Sequence, residues 1–286
     1  MRSIIISDTV LAGGTLNETM AGIDAINRLR VDGNSIIILS NKTYEYMRPM
    51  CVDIIDGKVK YTFDGDLATC KAGSGIPIYV RGSSLGGVST PRLVKTIRYN
   101  YSILGAGAFV INQNDELIRE GKYIELQTLS SMIKILKERG YKATDKELPF
   151  DGSDLLYNFF RFNKGYAIPN KSTYGMQCSS DDPNYDQETV DVIMDKIPMI
   201  EGFIINGKPC FYRKDNNKIF ALHKMMAGGM VDSRNMHLFL GDTTEEHLAR
   251  TYGKRTTVID GVGASQLFIE TGDRAPSLIK ALDKFV

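Results

Sequence analysis

Two kinds of pattern alternate along the chain: short apolar runs without polar interruption, and stretches in which apolar residues recur every three or four positions. Ser3–Ser7 (SIIIS), Ser35–Ser40 (SIIILS), His237–Leu240 (HLFL) and Thr256–Ile259 (TTVI) are of the first kind. Such runs predict strands covered on both faces, as in a parallel sheet flanked by helices. Between the first two, Met20, Ile23, Ile26 and Leu29 fall on one side of a helix that starts near Asn17, a good N-cap, and stops at Gly33. Strand, helix and strand make one β–α–β unit with a right-handed crossover.

The next segment predicts shorter elements. Asp56-Gly57 and Asp64-Gly65 read as hairpin turns, with Val59–Phe63 as a strand between them. Ile76–Val80 predicts a further strand, Pro91–Tyr99 a helix, and Ile103–Ile111 a strand broken by two glycines. From Asn112 the pattern changes. Asn114-Asp115 reads as a turn, and Thr128–Arg139 as a helix with Leu129, Met132, Ile133 and Leu136 inward and Gly140 as its stop. Tyr166–Asp186, rich in Asn, Ser, Asp, Gly and Pro, predicts an exposed loop. Gln187–Asp195 follows as a helix, then Met199–Ile205 and Lys208–Tyr212 as a hairpin around Asn206-Gly207. The parallel-sheet pattern resumes with helices at Lys218–Ala227, Glu245–Tyr252 and Pro276–Phe285. The predicted class is therefore α/β: a Rossmann-like core of parallel strands with helices on both faces, formed by 1–111 and 200–286, interrupted by an α+β cap at 112–199.

Composition narrows the partners. A chain of 286 residues, 43% hydrophobic with formal net charge +1, has no electrostatic pull towards nucleic acid or an anionic membrane surface. The four cysteines, Cys51, Cys70, Cys178 and Cys210, form no CxxC pair and suit reduced thiols better than a disulfide framework or zinc site. No apolar run approaches the length of a membrane span, and the segment before Asp8 is too short for a signal peptide. These features predict a cytoplasmic protein acting on a small molecule.

Chemistry concentrates at strand ends. Asp8 follows the first strand and leads into the Gly-rich turn Leu11–Leu16, while Asp242 follows HLFL. Ligands of open α/β sheets bind beyond the carboxyl ends of the strands, so both carboxylates are expected at one sheet edge. Two such groups repel unless a hard cation sits between them, which suits Mg²⁺. Ser40 and Asn41 close the neighbouring strand and offer a hydroxyl and backbone N–H groups to a phosphoryl oxygen; Ser83 or Ser84 is the rival position. Lys218 or Lys224, on the helix before the Asp242 strand, could neutralise charge between nucleophile and phosphate. Together these parts fit phosphoryl transfer through an aspartyl-phosphate.

In this order the motifs resemble those of the haloacid-dehalogenase (HAD) superfamily of phosphatases. "NETMAGIDAINRLRVDGNSIIILSN" is similar to the stretch from the first motif's helix into the second, and "GAGAFVINQNDELIREGKYIEL" to the strand and first cap hairpin of large-cap, Cof-type members. "NNKIFAL" resembles the third motif and favours Lys218, and "FLGDTTEEHLA" the fourth, with Glu246 at the second acidic position. The tail "TTVIDGVGASQLFIETGDRAPSLIKAL" is similar to that of trehalose- and sucrose-phosphate phosphatases. The resemblance implies a Mg²⁺-dependent hydrolase of a small phosphorylated metabolite, such as a sugar phosphate. Asp8 would be the nucleophile, Lys218, Ser40 and Asn41 would hold the phosphoryl group, and Asp8, the Val10 backbone carbonyl, Asp242 and Glu246 would hold the metal. One position departs. Members normally carry Asp-x-Asp-Gly-Thr, in which the second Asp moves the proton, and here that position is Val10. Losing that help lowers the rate by about 10²–10⁴. The alternative expectation is a HAD-fold binding or structural protein with impaired catalysis.

Overall fold

A computed structural model of the chain describes residues 1–11, 14–41, 50–55, 57–62, 75–81, 92–140, 155–163, 166–177, 186–205, 208–241, 245–260 and 273–285. Its centre is an eight-stranded sheet. The strands are β1 (Ser3–Ser7), β2 (Ser35–Leu39), β7 (Tyr101–Leu104), β8 (Phe109–Asn112), β9 (Leu117–Glu120), β14 (Met236–Leu240), β15 (Thr256–Ile259) and β16 (Asp273–Ala275). Their spatial order is β16-β15-β14-β1-β2-β7-β8-β9. Every pair from β16 to β7 is parallel, and the β8 and β9 pairings are antiparallel.

The uninterrupted apolar runs are buried on both faces, as their composition requires. Ile4, Ile6, Ile36, Ile38 and Phe239 belong to one core cluster with Ile23, Ile26 and Leu29 of helix α1 (Leu16–Val31) and with Leu278, Ala281 and Leu282 of the closing helix α6 (Leu278–Leu282). The alternating residues Ile5, Ile37, Leu39, Leu238 and Leu240 belong to a second cluster. It takes in Ala221, Leu222 and Met225 of α4 (Lys218–Ala227) and Leu248 and Ala249 of α5 (Glu246–Tyr252). Period-two alternation in each strand thus feeds two helical layers.

Helix α1 begins two residues earlier than Asn17 suggests. Thr15 is the N-cap and forms a reciprocal capping box with Glu18, whose carboxylate accepts from the Thr15 N–H at 2.8 Å. Gly33, at φ +86°, follows the end of the helix as expected.

Three sequence expectations fail for physical reasons. Pro91–Tyr99 is not a helix: Arg92–Ile97 is strand β6 of a separate four-stranded sheet with β3 (Met50–Ile55), β4 (Lys58–Thr62) and β5 (Ile76–Arg81), in the order β4-β3-β5-β6. This sheet lies over α1. Asn27 Nδ2 donates to the Thr96 carbonyl at 3.0 Å, and its Oδ1 accepts from the Arg98 N–H at 2.8 Å, so a helix side chain substitutes for a neighbouring strand. Lys95 Nζ donates to Asp24 and to the Met20 carbonyl. The expected Asp56-Gly57 turn falls between the antiparallel partners β3 and β4, with Gly57 at φ +74°.

Ile103–Ile111 is not one strand. Gly105, Ala106 and Gly107 have φ of 55°, 56° and 109°, a left-handed run that reverses the chain between β7 and β8. The third expectation, a loop over Tyr166–Asp186, is overturned for Tyr166–Gln177. That segment is β11, antiparallel to β10 (Leu155–Asn163). Its polar residues occupy a hairpin, where backbone pairing tolerates them.

β11 also pairs with β13 (Lys208–Arg213), which pairs with β12 (Ile200–Ile205), giving a third sheet in the order β10-β11-β13-β12. The 200–213 hairpin, counted with the core from sequence, therefore hydrogen-bonds within this sheet, while β9, beyond residue 112, stays in the central one. Helices α2 (Leu126–Glu138) and α3 (Asp186–Lys196) cover the third sheet. Leu129, Met132, Ile133 and Leu136 are buried against Val190, Ile193, Ile200 and Phe211, so the inward face read from sequence is the observed one. Among the described residues, no helix is long and apolar enough to cross a membrane.

Candidate active site

The register of the central strands fixes the site. Ser7 pairs with Leu39 on one side, and Ile6 pairs with Phe239 on the other. Extending the two registers by one and two residues puts Asp8 level with Ser40, after β2, and with Gly241, after β14. Three adjacent strands thus deliver their next residues to one edge, where α/β proteins bind ligands. Asp8 (2% exposed) and Ser40 (0%) are both buried. Asp242 and the side chain of Glu246 lie outside the described residues, as do Ser83, Ser84 and the Asp64-Gly65 turn.

Gly241 has a steric reason. A Cβ there would stand 2.5 Å from Thr9 Oγ1 and 2.9 Å from the Val10 nitrogen, so the turn after β1 packs directly on the backbone after β14. Val10 is buried and belongs to the apolar cluster shared with α1. The side chain at the position expected to carry a proton-transferring Asp is a core residue.

A buried polar cluster lies beside Asp8. Lys218 Nζ donates to Glu245 Oε1 at 3.0 Å, both side chains being essentially inaccessible. The same Oε1 accepts from the Ser7 hydroxyl, and Oε2 accepts from Thr9 Oγ1 at 3.2 Å and from the Gly241 N–H at 3.1 Å. Ser7 Oγ and Thr9 Oγ1 lie 2.8 Å apart, side by side on the same carboxylate. Glu245 thus ties together the ends of β1 and β14 and the start of α4, whose N-cap is the Asn217 side chain accepting from Phe220 N–H at 2.8 Å. A buried carboxylate with one ammonium and three donors is satisfied without a further cation. Glu245, Ser7 and Thr9 were not singled out from sequence; the two hydroxyls flanking Asp8 in Ser7-Asp8-Thr9 are the only local signal.

Lys218 also faces a pocket, whose lining includes Asn41 and Ala106 from loops after β2 and β7 and Asn217 beside Lys218. His247 of α5 and the cross-strand pair Glu201 and Tyr212 of β12 and β13 complete it. The third sheet therefore supplies one wall. Glu201 accepts from Asn217 Nδ2 at 3.3 Å. Burial pushes its carboxyl above the ordinary range, against the opposing effects of the Asn217 hydrogen bond and the Lys214 charge.

The structure thus brings together Asp8 and Ser40 at the sheet edge, and Asn41 and Lys218 in the pocket. Among the described residues, no group of three His, Cys, Asp or Glu side chains is placed to hold a metal ion. The hard oxygen of Asp8 at this edge suits Mg²⁺, whereas the Glu245 carboxylate is already taken up by Lys218 and three donors.

No protein-family model and no curated protein matches the sequence. Solved structures do. A phosphatase of the HAD superfamily from Bacteroides thetaiotaomicron superposes with a TM-score of 0.61 at 12% identity, covering 100% of this chain and 95% of that one. A HAD subclass IIB sugar phosphatase gives 0.58 at 13% identity, over 100% and 99%. A haloacid-dehalogenase-like hydrolase from B. subtilis gives 0.60 at 9% identity, over 100% of both chains. These matches run over the whole chain, and the fold is that of the HAD-superfamily phosphatases they describe.

Proposed function

We propose that the protein is a Mg²⁺-dependent phosphatase of a small phosphorylated metabolite, with Asp8 as the nucleophile that forms an aspartyl-phosphate. The observation that carries this reading is the convergence of Asp8, Ser40 and the residue before Asp242 on one edge of adjacent parallel strands, with Lys218 in the pocket alongside. An Asp8 oxygen would attack phosphorus, while Ser40, Asn41 and Lys218 would hold the phosphoryl oxygens. Glu245 would fix the ammonium so that it meets substrate already oriented. Asp8, Asp242, Glu246 and the Val10 carbonyl would hold the ion. Bound there, Mg²⁺ would offset the charge that builds up as phosphate approaches a carboxylate. The inserted sheet, with helices α2 and α3, would act as the cap that selects the rest of the substrate. A sugar phosphate is the favoured class, because the pocket wall facing Lys218 carries the polar groups Glu201, Tyr212 and Asn217. The setting would be the cytoplasm.

The buried Val10 gives the competing reading, a HAD-fold binding protein. Phosphate release from p-nitrophenyl phosphate and from a sugar-phosphate panel, with Mg²⁺, decides between them. Wild-type turnover above an Asp8→Asn background supports the phosphatase. Equal background for the two proteins would leave the binding reading. The aryl ester is informative because its leaving group departs without a proton.

A further inference from the structure

The pocket contains an acid in a place that the loss at Val10 makes meaningful. Hydrolysis of an alkyl phosphate needs a proton for the departing oxygen, and Val10 has none to give. Glu201 comes from a different part of the chain, the cap hairpin, yet lines the same pocket as Lys218 and Asn41. Its carboxylate is held by Asn217, the N-cap of the helix that carries Lys218. A strand position with a cross-strand Tyr212 beside it keeps the side chain on the pocket face of the sheet.

We propose that Glu201 is the general acid and base of this site, supplied by the cap in place of the missing first-motif Asp. The inference rests on the phosphatase reading above. In the first step an Asp8 oxygen bonds to phosphorus, and the electron pair of the breaking P–O bond goes to the leaving oxygen. That oxygen takes the proton of the Glu201 carboxyl and departs as the alcohol, leaving Glu201 ionised. In the second step water attacks the aspartyl-phosphate, Glu201 accepts its proton, and Asp8 leaves as carboxylate with phosphate released. Burial supports the role by keeping the carboxyl protonated to higher pH than usual. The charged and titratable groups that face it are Lys218 and His247 across the pocket, Tyr212 beside it and Lys214 nearby.

The test compares wild type, Glu201→Gln, Glu201→Asp and Asp8→Asn on a series of phosphate monoesters running from p-nitrophenyl phosphate to glycerol phosphate and glucose 6-phosphate, with Mg²⁺. Glu201→Gln is expected to lose about 10²–10⁴ in kcat on the alkyl esters. It should change little in phosphorylation by the aryl ester, read as the nitrophenol burst, so that dependence on leaving-group pKa steepens. The basic limb of kcat/KM against pH should disappear in Glu201→Gln, and Glu201→Asp should recover part of the alkyl-ester rate. Equal losses on alkyl and aryl esters in the phosphorylation step, read in single turnover, or none on either, would overturn the assignment while leaving Asp8 as nucleophile. A wild type no better than Asp8→Asn on every ester would overturn the phosphatase reading and this proposal with it. Thermal melting of Glu201→Gln close to wild type separates a chemical effect from unfolding.

Discussion

Glu245 and Glu201 are both carboxylates in the neighbourhood of Lys218, and the protein treats them in opposite ways. Glu245 is wholly buried and receives an ammonium, two hydroxyls and a backbone N–H. Each of its oxygens is used twice, so the carboxylate holds several other groups in place. Glu201 is half-buried and has one long amide hydrogen bond of 3.3 Å in a pocket wall. Desolvation without matching compensation favours the protonated form there. The contrast separates a carboxylate that holds the Lys218 ammonium from one that burial leaves with little compensation.

The strongest way to break this comparison is to remove Glu245. Glu245→Ala leaves the Lys218 ammonium buried without its carboxylate, and losing one partner of a buried pair destabilises by about 3–5 kcal/mol. Urea unfolding should show that loss as a lower midpoint, and Lys218→Met combined with Glu245→Leu should regain part of it. A Glu245→Ala protein as stable as wild type would mean that the cluster does not fix Lys218, and the contrast with Glu201 would lose its first half.

His237 sharpens the comparison from a distance, because it is another group that burial keeps uncharged but of opposite charge type. It lies on β14 between the Phe239 and Phe285 rings, at centroid distances of 5.1 and 4.8 Å, with a ring nitrogen 2.8 Å from Thr257 Oγ1. Burial lowers its pKa from 6.5 to about 4, with Asp273 opposing the shift. The unfolded chain therefore binds a proton in a range where the folded one does not. Its contribution is present above pH 6.5 and is lost as pH falls towards 4. Melting temperatures across that window should fall on the acid side for wild type and fall less for His237→Gln. Parallel curves would show that His237 is not the acid-sensitive group.

The sequence patterns carried far where burial was two-sided. The runs at 3–7, 35–39, 236–240 and 256–259 can be strands only in a covered sheet, and that sheet orders Asp8 and Ser40 by register alone. Arg92–Ile97 (RLVKTI) has no clean period-two alternation of apolar and polar residues, so its strand is not legible locally. The deciding partner, Asn27, lies far away in sequence. β11 was missed because Asn, Ser and Thr in a hairpin leave no apolar alternation. Of the site, Asp8, Ser40, Asn41 and Lys218 could be read from strand ends and helix starts. Glu245 could not be chosen over its neighbour Glu246, since adjacency says nothing about which acid turns inward. Glu201 lies in a segment that reads as a core hairpin, and only the pairing of β12 with β13, and of β13 with β11, joins it to the sheet that lines the pocket.

The smallest expected effect bears most directly on Glu201, because it needs no substrate. A carboxyl raised above its ordinary value of 4.5 in the folded state favours folding while it is protonated. The unfolded chain releases its proton near that value, whereas the folded chain keeps it to higher pH. Stability from this group is therefore fully present below about pH 4.5 and declines as pH rises through the elevated folded-state value. Gln is neutral at every pH and keeps a carbonyl oxygen for Asn217. Glu201→Gln should thus match wild type near pH 4 and become slightly the more stable of the two at pH 7 and above. Chemical denaturation at the two pH values measures the difference between differences, so any uniform effect of the substitution cancels. A constant offset would show that Glu201 titrates as an exposed carboxylate, and the distinction between the two carboxylates would then rest on Glu245 alone.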